Sequence, residues 1–259
     1  DAGSGGEVVL QSGDGAWGGS VFLRSGSSTE SELKSSEGGS IRIEGGRSST
    51  GLGGTVTLTS GASQSGDSGK IIVATGGVIG STGSSGNLDL RSGKSVLGST
   101  GRVMVSSGDA AAGRAGDVNI AGGKSGNGED SGGSVIVTAG MSTVADGGSV
   151  VLQSGASLKA GRSSGAVDIH SADNDAATGP VTLQSGHTKA GDSGHVSILS
   201  GNAANGGSAG SIEIQAGDSA AVAGGLSISA GSSAKATGGS LSLSSGAGIA
   251  TSSGDVNIV

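Results

Sequence analysis

Pairs of aliphatic side chains recur along the whole chain, with one other residue between the two members of each pair. There are 17 such apolar pairs, at intervals of 13 to 20 residues with a mean of 15.5. This spacing predicts one short β-strand in each repeat, because alternate side chains of a strand lie on the same face. The pairs are Val8/Leu10, Val21/Leu23, Ile41/Ile43, Val56/Leu58, Ile71/Val73, Leu88/Leu90, Val103/Val105, Val118/Ile120, Val135/Val137, Val150/Leu152, Val167/Ile169, Val181/Leu183, Val196/Ile198, Ile212/Ile214, Leu226/Ile228, Leu241/Leu243 and Val256/Ile258.

The repeat length predicts an all-β fold: a parallel β-solenoid (β-helix) of about 17 short coils with a thin, flattened cross-section. Equivalent strands of successive coils would lie about 4.8 Å apart. Helical repeats are excluded because they need more than about 30 residues each. A second strand in each coil is expected from the stretch that follows Ser-Gly, such as 156–158 or 247–249.

In this predicted solenoid the apolar pairs form the structural core, and the intervening residues face outward. Those outward residues include Arg42, Asp89 and Glu213, whose charges require contact with water or a partner. Serines that precede Gly, such as Ser12 and Ser60, are expected to stack in ladders beside glycine ladders. The core residues are Val56, Leu58, Val103, Val105, Val118, Ile120, Val135, Val137, Val150, Leu152, Val196, Ile198, Ile212, Ile214, Leu241 and Leu243.

The amino-acid composition argues against a globular fold, a disordered chain and collagen. The 259 residues include 58 Gly and 51 Ser, and the aromatic residues are Trp17 and Phe22 alone. Such a chain is too poor in large side chains for an ordinary globular core. Simple disorder is disfavoured because a flexible linker has no reason to hold aliphatic pairs at a regular interval. Collagen is excluded because Pro180 is the single proline and glycine does not recur at every third position.

Charge and cysteine content exclude several partners. The formal net charge is −7, and the 14 basic residues are scattered, which disfavours nucleic acid and anionic membranes. The chain has no cysteine, so it has neither disulfides nor thiolate metal sites. No apolar run is long enough to predict a membrane span.

The sequence contains only incomplete matches to catalytic and ligand-binding motifs. Gly13-x-Gly15-x-x-Gly18 lacks the strand–helix context of a dinucleotide site, and Gly93-Lys94-Ser95 lacks the first glycine of a phosphate loop. The three histidines, His170, His187 and His195, are interpreted as solvated variation within the repeat. We therefore expect no enzyme activity, and no catalytic, cofactor-binding or metal residue. Acidic turns are expected to attract counter-ions weakly.

The segment 147–155, Gly-Gly-Ser-Val-Val-Leu-Gln-Ser-Gly, resembles Gly/Ser-rich repeats in very large surface proteins of diatoms and related algae. The resemblance extends over the whole chain. It implies an extracellular or cell-surface location, in a fibre, a flagellar hair, an adhesive strand or a wall-associated filament. It brings no catalytic residue to this sequence.

Two functional hypotheses follow. The first is a structural protein that forms a rod or filament, by self-association end to end or laterally and with O-linked glycans on Ser and Thr. The alternative is an adhesin or binding module for a glycan, a mineral or, with less support, ice. Residues 1–259 are expected to form one repeat array. Because neither end resembles a cap, the array is expected to be an interior segment of a longer chain.

Overall fold

The structure is a computed structural model that describes residues 5–28, 37–80, 83–126, 130–204 and 206–258. Two units divide the chain, Asp1–Val135 and Ile136–Val259. Within the described ranges there is no helix and no β-strand. The prediction of an all-β fold, a parallel β-solenoid or β-helix of 17 coils, is therefore wrong for this structure.

The backbone hydrogen bonds explain the difference. A parallel solenoid pairs equivalent strands of neighbouring coils, here 14 to 17 residues apart over most of the chain. In the described residues, the backbone hydrogen bonds instead join groups that are 3 or 6–13 residues apart. The donors and acceptors are used locally, so no ladder forms between repeats.

Each repeat instead consists of an unbent segment that carries an apolar pair, followed by a turn. In the first unit, for example, residues 52–63 contain Val56 and Leu58, and the chain then bends at 64–66. In the second unit, residues 223–233 contain Leu226 and Ile228 and are followed by a bend at 234–236. Several bends end at a glycine, as at Gly51, Gly66 and Gly98, and glycine is typical of turns.

A hydrogen bond between two glycines closes the loop that contains the turn. We call it a glycine clasp: the amide of the Gly two residues before a pair donates to the carbonyl oxygen of the Gly three residues after the preceding pair. In the first unit the clasps, written donor then acceptor, are Gly19–Gly13, Gly39–Gly26, Gly54–Gly46, Gly69–Gly61 and Gly133–Gly123, with N···O distances of 2.7–2.9 Å.

The second unit has clasps of the same kind. Their N···O distances are 2.9–3.3 Å, and the loops they close vary in length as in the first unit. In the clasped loops the constant feature is the pair of glycines that holds the loop ends, whatever the loop length. Other loops, such as those from Gly93 to Gly101 and from Gly108 to Gly116, have both glycines but no such bond. The clasps of the second unit are Gly148–Gly140, Gly165–Gly155, Gly210–Gly201, Gly224–Gly217, Gly239–Gly231 and Gly254–Gly246.

At the first clasp, close backbone approach explains why the donor is glycine. A Cβ atom added to Gly19 would lie 3.0 Å from the Cβ of Ser12 and 3.3 Å from both the N and the O of Gly13. The contact with Gly13 is with backbone atoms, which cannot rotate away as a flexible side chain can. By contrast, a Cβ added to the neighbouring Gly18 would meet nothing within 4 Å.

Serine hydroxyls stabilise several turns inside the loops. The Oγ of Ser48 accepts a hydrogen bond from the amide of Gly51 at 2.8 Å, and Ser63 accepts one from Gly66 at 2.9 Å. Ser233 and the amide of Ala236 are joined in the same way at 2.9 Å. Such bonds are the usual reason that Ser favours turns over regular structure.

The stretches expected to form a second strand lead into turns. Lys159 accepts a backbone hydrogen bond from Arg162 at 3.2 Å, and Gly161 has a φ of +76°. A positive φ at the third position of a β-turn is the type II arrangement, which favours glycine. Leu158, just before this turn, is fully exposed, as is Ile249 in the turn at 249–251. Neither stretch pairs with a neighbour.

Candidate functional site

The apolar pairs are the most regular surface feature of the chain. Among the described residues no side chain is buried, and all of the residues predicted to form the core are exposed. These residues can form a core only through contacts that this structure does not contain, so their role as a core stays a prediction. Their first members are 50–58% exposed and their second members 64–75%. The first members are Val56, Val103, Val118, Val135, Val150, Val196, Ile212 and Leu241, and the second members are Leu58, Val105, Ile120, Val137, Leu152, Ile198, Ile214 and Leu243.

The two members of a pair differ in a consistent direction. Val118 is 50% exposed and Ile120 is 75% exposed, and the same order holds in every pair from Val21/Leu23 onward where both residues are described. The difference does not depend on a clasp: no clasp bond precedes Val118, whereas one precedes Val135, which is 52% exposed. The second member is therefore the larger contributor of apolar surface in each repeat.

The residues between the members of a pair are mixed: some are apolar, such as Phe22 and Ile136, and others are charged. Arg42 forms an ion pair with Glu44, and Asp89 lies 3.9 Å from Arg91, all with exposed side chains. In each case the partners are two positions apart, so they lie on the same side of an unbent segment. Exposed ion pairs of this kind contribute little to stability.

The least exposed side chains of the repeat are small ones, not the aliphatic ones. The residue before the acceptor glycine of a clasp is half-buried in many repeats, as at Ser12, Ser60 and Ala139. The Cβ of Ser60 lies 3.3 Å from the position that a Cβ on Gly69 would take. Serine therefore packs against the donor glycine of its own clasp, rather than against other serines in a ladder.

A sequence signal for the clasps exists. Between successive pairs, Gly always stands two residues before a pair, and it stands three residues after a pair everywhere except at Ala172. The residue before this second glycine is always Ser, Ala, Gly or Thr. The sequence predicted ladders of these residues between coils, whereas in the structure the two glycines are joined within one loop, as at Gly61 and Gly69.

The histidines and the glycine motif noted in the sequence have these positions in the structure. The Nδ1 atom of His170 lies 3.0 Å from the carbonyl oxygen of the adjacent Ser171. No group of three or more His, Cys, Asp or Glu side chains in the described part of the chain is placed to hold a metal ion. The motif Gly13-x-Gly15-x-x-Gly18 begins at the acceptor glycine of the first clasp.

The described residues contain no helix, and so none that is long and apolar enough to cross a membrane. Comparison of the chain with protein-family models, with curated proteins and with solved structures finds no match.

Proposed function

We propose that this chain is a structural protein of the cell surface or the extracellular space that assembles laterally with copies of itself into a fibre. The observation that supports this most directly is the exposed apolar pair in each repeat. Burying a Val, Leu or Ile side chain contributes about 1.5–3 kcal/mol relative to leaving it in water. A surface that repeats such side chains along its length favours association.

A second copy of the chain is the partner that best fits this surface. Successive pairs are 15 residues apart at many places, for example from Val103 to Val118 and from Leu241 to Val256. Another copy carries pairs at the same intervals, so one alignment can cover many pairs at once. Because each contact repeats, weak individual contacts add up along the array.

In the segments whose intervening residue is charged, that residue supports assembly on the opposite side only. Asp89 and Glu213 lie between the members of their pairs and so project to the opposite side. Contact through the apolar side leaves these charges in water, which avoids burying them without partners. The surface location rests on the resemblance to algal surface repeats, and Ser and Thr in the exposed turns are the proposed sites of O-linked glycans.

The test compares two variants of the full chain that gain the same negative charge. The first is Ile198→Asp, Ile228→Asp and Leu243→Asp, at the exposed second members of three pairs. The second is Ser197→Asp, Ser227→Asp and Ser242→Asp, at the residues between the members of those pairs. Sedimentation velocity over a range of concentrations, with electron microscopy of the largest species, measures assembly.

We expect the unchanged chain and the serine-site variant to form fibres, and the pair variant to stay monomeric at the same concentration. Two outcomes contradict the proposal. One is an unchanged chain that remains monomeric at every concentration. The other is an equal loss of assembly in both variants, which would trace the effect to charge alone and not to the apolar pairs.

A further inference from the structure

A cavity of about 590 Å³ lies beside the loop that follows the Leu88/Leu90 pair. Its lining combines two basic side chains, Arg91 and Lys94, with the hydroxyl-bearing Ser92 and Thr100 and with Gly93. The volume falls within the range of small-molecule sites in proteins, about 300–1,000 Å³. All of the functional groups on its lining side chains can donate hydrogen bonds.

The charge of this cavity is opposite to that of the chain as a whole. The net charge is −7, yet Arg91 and Lys94 line the same cavity three residues apart. Asp89 is the nearest carboxylate to Arg91 and lies 3.9 Å from it, too far for a strong hydrogen-bonded pair. The Arg91 side chain is 83% exposed, so most of its five donors face water.

This combination occurs in one repeat only. Arg follows the second member of a pair at Arg24 and Arg91, but Arg24 has Ser27 at the position that corresponds to Lys94. Lys124 occupies the position of Lys94 within the same Gly-Lys-Ser sequence, but Ala121 stands where Arg91 would be. The repeat that contains Lys124 therefore provides a natural control with one of the two charges.

The loop that borders the cavity lacks a clasp, as do the loops that end at Gly116 and Gly194. The amide of Gly69 donates to Gly61 at 2.9 Å in the earlier loop, whereas no hydrogen bond joins Gly101 to Gly93. A Cβ on Gly101 would lie 3.8 Å from that of Ser92, against 3.3 Å between the corresponding Gly69 and Ser60 positions. The ends of this loop are therefore further apart, and Thr100, next to Gly101, lines the cavity.

We propose that this cavity binds an oxoanion, a sulfate, phosphate or carboxylate group, carried on a molecule of about the size of a sugar. The planar guanidinium of Arg91 matches two oxygens of such a group, and Lys94 adds a second positive charge. The hydroxyls of Ser92 and Thr100 donate to the remaining oxygens. The site is exposed, so binding is weak and falls as salt screens the two charges.

NMR titration of the full chain at low salt tests the site, with inorganic sulfate, inorganic phosphate, glucuronate and a sulfated disaccharide as separate probes. We expect chemical-shift changes concentrated in residues 91–101. Affinity should fall at least about fivefold in the variant Arg91→Ser, Lys94→Ser, because each lost charge removes a charge-assisted contact. The matched control Lys124→Ser should bind like the unchanged chain. Asp89→Asn should bind more tightly, since it removes the nearest negative charge.

Tighter binding of the sugar-borne probes than of the inorganic ions would identify a glycan as the source of the anion, and equal binding would identify a free ion. Either result supports an oxoanion site. The proposal is overturned if no probe binds, if the double variant binds as well as the unchanged chain, or if Lys124→Ser weakens binding as much as the double variant does.

Discussion

The hydroxyl of Ser12 donates a hydrogen bond to the carbonyl oxygen of Gly19 at 2.9 Å, across the loop that the Gly19–Gly13 clasp closes. Ser25 and Gly39 repeat this relationship at 2.8 Å around a longer loop. Each of these loops is thus held by two hydrogen bonds, one from a backbone amide and one from a side chain.

Adding one methyl group at Gly19 should open its clasp. In Gly19→Ala the new Cβ would lie 3.0 Å from the Ser12 Cβ and 3.3 Å from the Gly13 backbone, so the loop ends must separate. Since a hydrogen bond contributes about 0.5–1.5 kcal/mol, exchange of the residue-19 amide should accelerate by about 2- to 10-fold. Hydrogen exchange followed by NMR measures this. Gly18→Ala is the control, and equal acceleration in both variants would contradict the clasp.

Each serine hydroxyl in a turn should slow hydrogen exchange of the one amide that it binds. Ser63→Ala removes the acceptor for the Gly66 amide, which lies 2.9 Å from the Ser63 Oγ. That amide should then exchange faster by a factor of about two to five, because water replaces an exposed hydrogen bond at small net cost. Ser65→Ala, in the same loop, should leave the Gly66 amide unchanged. If Ser65→Ala has the larger effect, the turn is held differently.

Assembly should protect some trypsin sites from cleavage and leave others accessible. Lys70 and Arg102 directly precede the pairs Ile71/Val73 and Val103/Val105, whereas Lys159 and Arg162 belong to a turn. If the pairs are covered in the fibre, cleavage after Lys70 and Arg102 should slow at least about tenfold on assembly, since cleavage needs an exposed, extended backbone. Cleavage at the turn should change little. Mass spectrometry of timed digests distinguishes this pattern from uniform protection or none.

Salt should promote assembly. With 21 acidic and 14 basic residues, neighbouring copies repel one another, and the range of that repulsion is about 10 Å at 0.1 M salt and about 3 Å at 1 M. The concentration needed for fibre formation should therefore fall as sodium chloride rises. Light scattering across a salt series measures the threshold. A threshold that rises with salt would indicate that ion pairs, and not the apolar pairs, hold the copies together.

The spacing of the apolar pairs locates the repeats along the chain. It does not determine whether the segments pair with one another through backbone hydrogen bonds. Val118 and Ile120 lie on one side of their segment whether that segment pairs with a neighbour or remains alone, so the alternation cannot distinguish a sheet from an isolated stretch. Pairing depends on where the backbone hydrogen bonds go. The carbonyl oxygen of Gly123 accepts its hydrogen bond from the amide of Gly133 in the same loop. The spacing of the aliphatic residues does not reveal this partner.

The cavity at Arg91 was equally hard to foresee. Its local sequence, Gly93-Lys94-Ser95, only suggests an incomplete phosphate loop, and Arg91 and Thr100 lie outside that motif. The lining depends on the path of the loop between Ser92 and Gly101 and on the missing clasp. The sequence does mark the glycine positions at which a clasp can form, because their distances from the apolar pairs scarcely vary. It does not show where the bond forms, since Gly93 and Gly101 hold these positions without it.

The same clasp hydrogen bond joins the ends of loops that differ in length. The same glycine-to-glycine bond spans six positions from Gly13 to Gly19 and 13 positions from Gly26 to Gly39. Doubling a loop raises the entropy cost of closing it by only about 0.6 kcal/mol. Insertions and deletions during evolution can therefore accumulate between the two glycines while both neighbouring segments stay as they are. For the same reason, these loops are the places where an engineer could insert a foreign peptide or a binding tag.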